Sequence, residues 1–190
     1  MLQIVIQGRG GQGAQTAGNL LAAAFFAAGR QVQCFASYGG ARRGTPVSSF
    51  LRVDERPIRL RCDIERADAI LCFDASLLAG PTSPLAACAD ERTLVVVNSA
   101  RDAAAFAQTL PGRRVIPVDG LAISQRHGLG RIVNSALLGA VARAIGAPGL
   151  AQLEATLTEN SPRLHDDNIA ACEAGWQQVD RLLQPQEAAR

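Results

Sequence analysis

The sequence predicts a three-layer α/β protein built on a mixed, mostly parallel sheet with an antiparallel hairpin inserted into it. Three observations lead there. Short apolar, β-branched runs recur along the chain, stretches of helical apolar spacing separate them, and the first strand-to-helix junction is a run of glycines.

Residues 2–7 (LQIVIQ) read as the first strand. GRGGQG follows, and apolar side chains then return at Ala14, Ala17, Leu20, Leu21, Ala24, Phe25 and Ala28, the spacing of a helix over 14–28. Gly29, free to take positive φ, stops that helix, and residues 32–36 supply the next strand of a βαβ unit. The segment SYGGARRG is too rich in glycine and polar groups for regular structure. Residues 45–53 read as a strand, and Asp54-Glu55-Arg56-Pro57 turns the chain into residues 58–60 as its antiparallel hairpin partner. Three further strands, 69–73, 94–97 and 115–118, run into Asp74, Asn98 and Asp119. Helices are expected at 84–89, 102–109, 132–145, 149–157 and 166–183, with a frayed tail at 185–190. No repeat or linker divides the chain, so residues 1–190 are read as one domain. Ligands of open α/β sheets bind outside the C-terminal ends of the strands, where the glycine loop, SYGGARRG and the polar tips gather.

Composition removes several function classes. With 190 residues, 48% hydrophobic and 19% charged, the chain is globular, and no apolar run approaches the ~18 residues of a membrane span. The opening MLQIVIQGRGG has no basic leader region, so a cytoplasmic protein is expected, with no membrane partner. A net charge of +2 is too small to recruit nucleic acid. All nineteen basic residues are arginine, which excludes a Walker A loop, a Schiff-base lysine and a lysine general base. Cys34, Cys62, Cys72, Cys88 and Cys172 contain no CxxC, so this chain is not expected to ligate zinc or an iron–sulfur cluster. His127 and His165 make no HExxH, and there is no GxSxG. The helices at 14–28 and 132–145 carry too few polar groups for a surface position, so further helices of this chain or another subunit must cover them.

Gly8-Arg9-Gly10-Gly11-Gln12-Gly13 satisfies GxGxxG in a strand–turn–helix context, which makes the fold Rossmann-like. Such a loop offers backbone N–H groups and a positive helix end to a phosphate. It also serves as a tight turn with nothing bound, and Arg9 as a surface charge. A dinucleotide site needs an acid at the end of the second strand, yet QVQCFAS has none and the next acid is Asp54. Tyr38, Arg42 and Arg43 stand there instead. Two adjacent guanidiniums suit a polyanionic adenine nucleotide such as coenzyme A, or else form a solvated or intersubunit pair. Among the remaining polar residues, Asp74 and Asp119 are read as helix caps and Asp166 or Asp167 as the cap of the last helix, with His165 a bystander. Cys172 reads as a small buried hydrophobe, and Trp176 as an anchor for its helix.

GRGGQGAQTAGNLLAAA, YGGARRGTPVSSFLRVDERPI and ILCFDASLL, in that order, resemble the gamma subunit of 2-oxoacid:ferredoxin or acceptor oxidoreductases, the pyruvate:ferredoxin oxidoreductase group. GLGRIVNSALLGAVARAIG and DDNIAACEAGW extend the likeness over nearly the whole chain. Family members often carry an acid within the YGxxxRG segment, where this chain has Gly40 and Ala41. The resemblance implies a non-redox subunit of an enzyme that oxidatively decarboxylates a 2-oxo acid, such as pyruvate or an aromatic 2-oxo acid, and passes the acyl group to coenzyme A. It implies that thiamine diphosphate, Mg2+ and [4Fe–4S] clusters belong to partner subunits of alpha, beta and delta type, with ferredoxin or a flavin/NAD subunit taking the electrons. It further implies that Gly8 to Gly13 hold the coenzyme A pyrophosphate, with Tyr38, Arg42, Arg43 and Asn134 as further contacts. A stand-alone NAD(P)-binding oxidoreductase and a purely architectural subunit are the competing readings. On the first reading, Gly10→Asp, or Arg42→Ala with Arg43→Ala, raises the apparent coenzyme A requirement of the assembled complex while its thiamine content stays normal. Steady-state kinetics with a thiamine assay check this.

Overall fold

The computed structural model describes residues 1–39, 44–79, 88–160 and 164–187. The described residues form one mixed six-stranded sheet in the order β2-β3-β1-β4-β5-β6. Its strands are β1 (Leu2–Arg9), β2 (Gln31–Tyr38), β3 (Pro46–Asp54), β4 (Ala69–Cys72), β5 (Leu94–Asn98) and β6 (Val115–Val118). The helices are α1 (Ala14–Ala27), α2 (Gly120–Arg126), α3 (Asn134–Ile145), α4 (Leu150–Asn160) and α5 (His165–Glu187), with 3₁₀ turns at Ala75–Leu78 and Ala103–Phe106. β1, β4, β5 and β6 are parallel neighbours, and β3 is antiparallel to both β1 and β2. The mixed α/β class expected from the sequence is what forms.

The antiparallel hairpin has a different second arm from the one expected. β3 pairs with β2, Tyr38 opposite Val47 and Gln31 opposite Asp54, while β1 occupies its other edge. Both edges of β3 are therefore filled, and residues 58–60 are not a strand. Arg52 reinforces this arrangement. The residue is 2% exposed, and its guanidinium donates to Gln3, to Gln33 and to the Asp63 carbonyl, drawing the chain after residue 60 across the sheet face instead of along its edge. The intended βαβ unit is likewise interrupted, because β3 lies between β1 and β2.

Alternation divides the strand side chains between two faces. Ile4, Ile6, Leu71, Val96 and Val118 face a core closed by α1, α3, α4 and α5. Val5, Ile70, Val95 and Val97 face a smaller core whose described cover is the two 3₁₀ turns and loop residues such as Ile64 and Leu110. The helix expected at 102–109 is one of those turns, capped by Asp102 through Ala105 N. The helix expected at 84–89 lies mostly outside the described residues. α5 runs on to Glu187, so the chain stays helical at 185–187, where fraying was expected. It begins at His165, which puts Asp166 and Asp167 in its first turn instead of at its cap.

The question of what covers the apolar helices is answered for α3 by this chain itself. Every residue from Ser135 to Ala142 is buried, and α5 lies over α3 with Cys172 fully buried and Trp176 packed against the core. Glycines set that approach. A Cβ on Gly139 would stand 1.9 Å from the Cys172 carbonyl oxygen, and one on Gly175 would stand 1.9 Å from that of Ala136. Gly139→Ala gains helix propensity of about 0.5–1 kcal/mol. It is nonetheless expected to lower stability by about 2–3 kcal/mol, because the backbones must separate to admit a methyl group. Urea denaturation followed by circular dichroism checks this. A neutral or stabilising result would mean that the helices pack less closely.

β2 forms one edge of the sheet and β6 the other. The ladder on β3 alternates sides, with Gly39 N donating to the Pro46 carbonyl and Gly10 N to that of Thr45. By that alternation Val32, Cys34, Ala36 and Tyr38 turn their backbone groups outward, away from β3.

Candidate functional site

The parallel strands β1, β4, β5 and β6 deliver Arg9, Phe73 with Asp74, Asn98 and Asp119 to one edge of the sheet. There the chain makes its glycine loop. Gln12 N donates to the Arg9 carbonyl (2.9 Å), Gly10 N to the Thr45 carbonyl (2.9 Å) and Gly44 N to the Gly10 carbonyl (3.2 Å). The turn requires left-handed backbone at Gly11 (φ +96°) and Gly13 (φ +87°), which glycine adopts without a Cβ penalty. Gly13 has a second reason to lack a side chain, since its Cβ would lie 2.5 Å from the Asn134 amide nitrogen.

Arg9 acts within the loop as a brace. Its Nε donates to Asp74 Oδ2 (2.8 Å), Nη1 to the Gly44 carbonyl (3.2 Å) and Nη2 to Ser76 Oγ (2.9 Å), tying the end of β1 to the chain leaving β4. Gln12 folds inward, its Oε1 accepting from Arg9 N at 2.6 Å. Asp74 accepts from Ser76 N (3.0 Å) as the cap of the first 3₁₀ turn, the capping role expected for it, and holds Arg9 as well. Burial pushes the Asp74 carboxyl up, but the bonds from Ser76 and the Arg9 guanidinium outweigh it and hold the group below the ordinary carboxylate range.

Beside this brace opens a cleft of about 420 Å³ lined by Gly11 to Gly13, Phe73, Asn98, Leu121 and the run from Arg131 to Asn134. Two helices begin at its wall. α1 starts after Gly13 and α3 at Asn134, and neither has a side-chain cap or an acid in its first turn. Ala17 N is bonded to the Gly13 carbonyl (2.9 Å) and Leu137 N to that of Val133 (3.1 Å), so the earlier amides of each first turn lie beyond the reach of the helical ladder. Asn134 Nδ2 spans the two ends to the Gly13 carbonyl at 3.4 Å. Asn98 seals the floor, donating to the Phe73 carbonyl (3.1 Å) and accepting from Gly120 N (3.1 Å). Asp119 caps α2 through Ala122 N (2.9 Å).

A second concavity of about 310 Å³ flanks the other side of the loop, between Arg9, Gly10, Thr16 and Tyr38. Tyr38 OH donates to Gln15 Oε1. The structure thus brings Gly8 to Gly13, Tyr38 and Asn134 around one loop, while Arg42 and Arg43 lie outside the described residues. Sequence reasoning marked Asn98 only as a strand tip and gave Arg131 no role, because a residue in a turn 118 positions after Gly13 carries no local sign of facing it. Among the described residues no three His, Cys, Asp or Glu side chains gather as a metal site, and no helix is long and apolar enough to cross a membrane.

The fold is an open, mixed α/β sheet with a cleft at its parallel strand ends, and no acid stands among that cleft's described lining residues. More particularly, this chain belongs to the pyruvate ferredoxin/flavodoxin oxidoreductase family, whose model matches residues 3–178. It is 37% identical to the pyruvate/ketoisovalerate oxidoreductases common subunit gamma of Thermococcus kodakarensis, over 93% of this chain and 96% of that one. It is similar in structure to the pyruvate oxidoreductase subunit PORC of Thermotoga maritima, with TM-score 0.81 and 27% identity over 93% of this chain and 95% of that one. The 2-oxoglutarate:ferredoxin oxidoreductase of Magnetococcus marinus, solved with 2-oxoglutarate, coenzyme A and succinyl-CoA bound, shares the fold at TM-score 0.73 and 18% identity, over 95% of this chain and 31% of that one.

The Arg9–Asp74 brace generates a pH prediction. A carboxyl held below its unfolded value stabilises the fold fully above about pH 4, and that contribution is lost as pH falls through the folded value. Asp74→Asn is expected to cost about 1 kcal/mol at neutral pH, with the difference from the parent protein closing as pH falls through the folded value of Asp74. Chemical denaturation as a function of pH measures it, and a pH-independent difference would locate the cost elsewhere.

Proposed function

We propose that this chain is the gamma subunit of a thiamine diphosphate- and iron–sulfur-dependent 2-oxoacid:acceptor oxidoreductase, and that it binds and positions coenzyme A during oxidative decarboxylation. The observation that carries the reading is the meeting of two uncapped helix N-termini on one cleft with no acid among its described lining residues. Each end bears a partial positive charge and unsatisfied N–H groups, and a phosphoanhydride supplies the charge and acceptors that both lack. Phe73, Leu121 and Ile132 give the same cleft an apolar wall for the uncharged parts of the ligand.

The chain's own contribution is binding and orientation. Loop amides of Gly11 and Gly13 and the first turns of α1 and α3 fix the diphosphate, Asn134 holds the two ends in register, and the Arg9–Asp74–Ser76 brace keeps the loop from shifting under load. Anchored there, the coenzyme extends its thiol toward a partner subunit, which raises its effective concentration at the acyl acceptor step. Thiamine diphosphate with Mg2+, and the [4Fe–4S] clusters, supply the decarboxylation and electron transfer. They are assigned to alpha, beta and delta partners on the family resemblance, and among the described residues of this chain no three His, Cys, Asp or Glu side chains gather to hold a metal. Ferredoxin, or NAD through a flavin subunit, is the acceptor, and the cytoplasm the location.

The NAD(P) reading fares worse for a topological reason. A dinucleotide fold sets its second strand beside the first and places a ribose-binding acid at its tip. Here β3 separates β1 from β2, and β2 ends on Tyr38.

Asn134→Asp tests the proposal. An acid at the start of a helix favours the fold and offsets the lost bond from Asn134 to the Gly13 carbonyl, so the variant is expected to assemble. In the cleft it opposes a phosphate, and the apparent KM for coenzyme A of the assembled complex is expected to rise about tenfold, about 1.4 kcal/mol of binding. An unchanged KM, together with no coenzyme A binding by calorimetry, would favour the architectural reading.

A further inference from the structure

The positive charge of the cleft does not come from the arginine of the glycine motif. Arg9 is occupied, with Nε, Nη1 and Nη2 all donating within the protein. Arg131 is the opposite case. It is exposed on the cleft wall and has no hydrogen bond or ion pair among the described residues.

An exposed guanidinium is ordinarily a solvated charge of small energetic weight. Three observations set this one apart. No carboxylate lines the cleft, so Arg131 is the only formally charged side chain among its described lining residues. The acids that follow β4 and β6 at the strand edge are engaged, Asp74 with Arg9 and Asp119 with the first turn of α2. The backbone carrying Arg131 is fixed by a turn with Gly128 at φ +75° and Gly130 at φ +60°, closed by Ile132 N on the Leu129 carbonyl (3.1 Å). A charge without a counter-ion among the described residues is thereby held on a set backbone beside two helix N-termini.

We propose that Arg131 is the phosphate-binding cation of this cleft, presenting its planar fork to a phosphoryl group of the bound coenzyme. The inference rests on the coenzyme A reading above. A guanidinium meets two phosphoryl oxygens at once, which suits it to a phosphate at this cleft. Both the pyrophosphate and the 3′-phosphomonoester of the coenzyme offer that chemistry.

The test uses the assembled complex carrying Arg131→Gln or Arg131→Lys, with Asn134→Asp alongside, after subunit stoichiometry and thiamine content have been matched. Apparent KM is measured for coenzyme A, dephospho-coenzyme A and pantetheine at low and raised ionic strength. Arg131→Gln is expected to raise the KM for coenzyme A about tenfold and to shrink its advantage over phosphate-free pantetheine by the same factor. Arg131→Lys recovers part of the loss, since it keeps the charge without the fork, and salt narrows the gap between the parent and the glutamine variant. An equal loss with dephospho-coenzyme A places the contact on the pyrophosphate, and a loss confined to coenzyme A places it on the 3′-phosphate, and both uphold the assignment. A KM that Arg131→Gln leaves within twofold while Asn134→Asp raises it overturns the assignment of Arg131 alone. If neither variant moves it, the coenzyme A reading falls, and this inference with it.

Discussion

The approach of Asn134 to Gly13 is the contact on which the candidate site depends. Gly13 immediately precedes α1 and Asn134 opens α3, so this one meeting brings two helix N-termini to the same cleft. Like ends of two helix dipoles repel each other, and nothing in either first turn offsets the repulsion. Burial offsets it from a distance. α3 is held under α5 by the close passage at Gly139 and Gly175, and its residues from Ser135 to Ala142 are buried. The tight packing along the first half of α3 thus holds its N-terminus in place beside that of α1.

The loop itself is stiffened by a different set of forces. Arg9 crosses from β1 to Asp74 and Ser76, and Gln12 folds back onto the Arg9 amide, so the glycines have little freedom left once the brace forms. Separating bracing from ligand contact has a physical logic, because a guanidinium committed to Asp74 cannot also neutralise a phosphate.

The parts of this arrangement that were legible in the sequence are those fixed by local chemistry. β1, the glycine turn and α1 follow from a β-branched run, residues that tolerate positive φ and an apolar stripe, all within residues 2–28. The capping roles of Asp74 and Asp119 follow from their places at strand ends. What escaped was decided by competition between distant segments. Residues 58–60 look like a strand, but the edge they would need is taken by β2, and only the three-dimensional order of β2, β3 and β1 reveals that. The expected helix start at 132 moved to Asn134, with Ile132 left 54% exposed on the cleft, because the turn after Gly130 sets where α3 begins. The importance of Arg131 could not be read at all from its neighbours in sequence. It depends on Arg9 being engaged elsewhere, and that requires Asp74 and Ser76 to be in place.

The two borders of the sheet behave differently toward a further chain. β6 has four residues, one of them Pro117, and cannot offer a long run of donors. β2 has eight residues with neither proline nor charge, and its outward groups at Val32, Cys34, Ala36 and Tyr38 pair with no strand among the described residues, which leaves them a template for backbone pairing. Growth of the sheet is therefore polar, permitted on the flank that carries Tyr38 and blocked on the other. Any polypeptide laid along that flank would run beside the strand whose last residue borders the glycine loop, making quaternary contact and ligand seat neighbours in space.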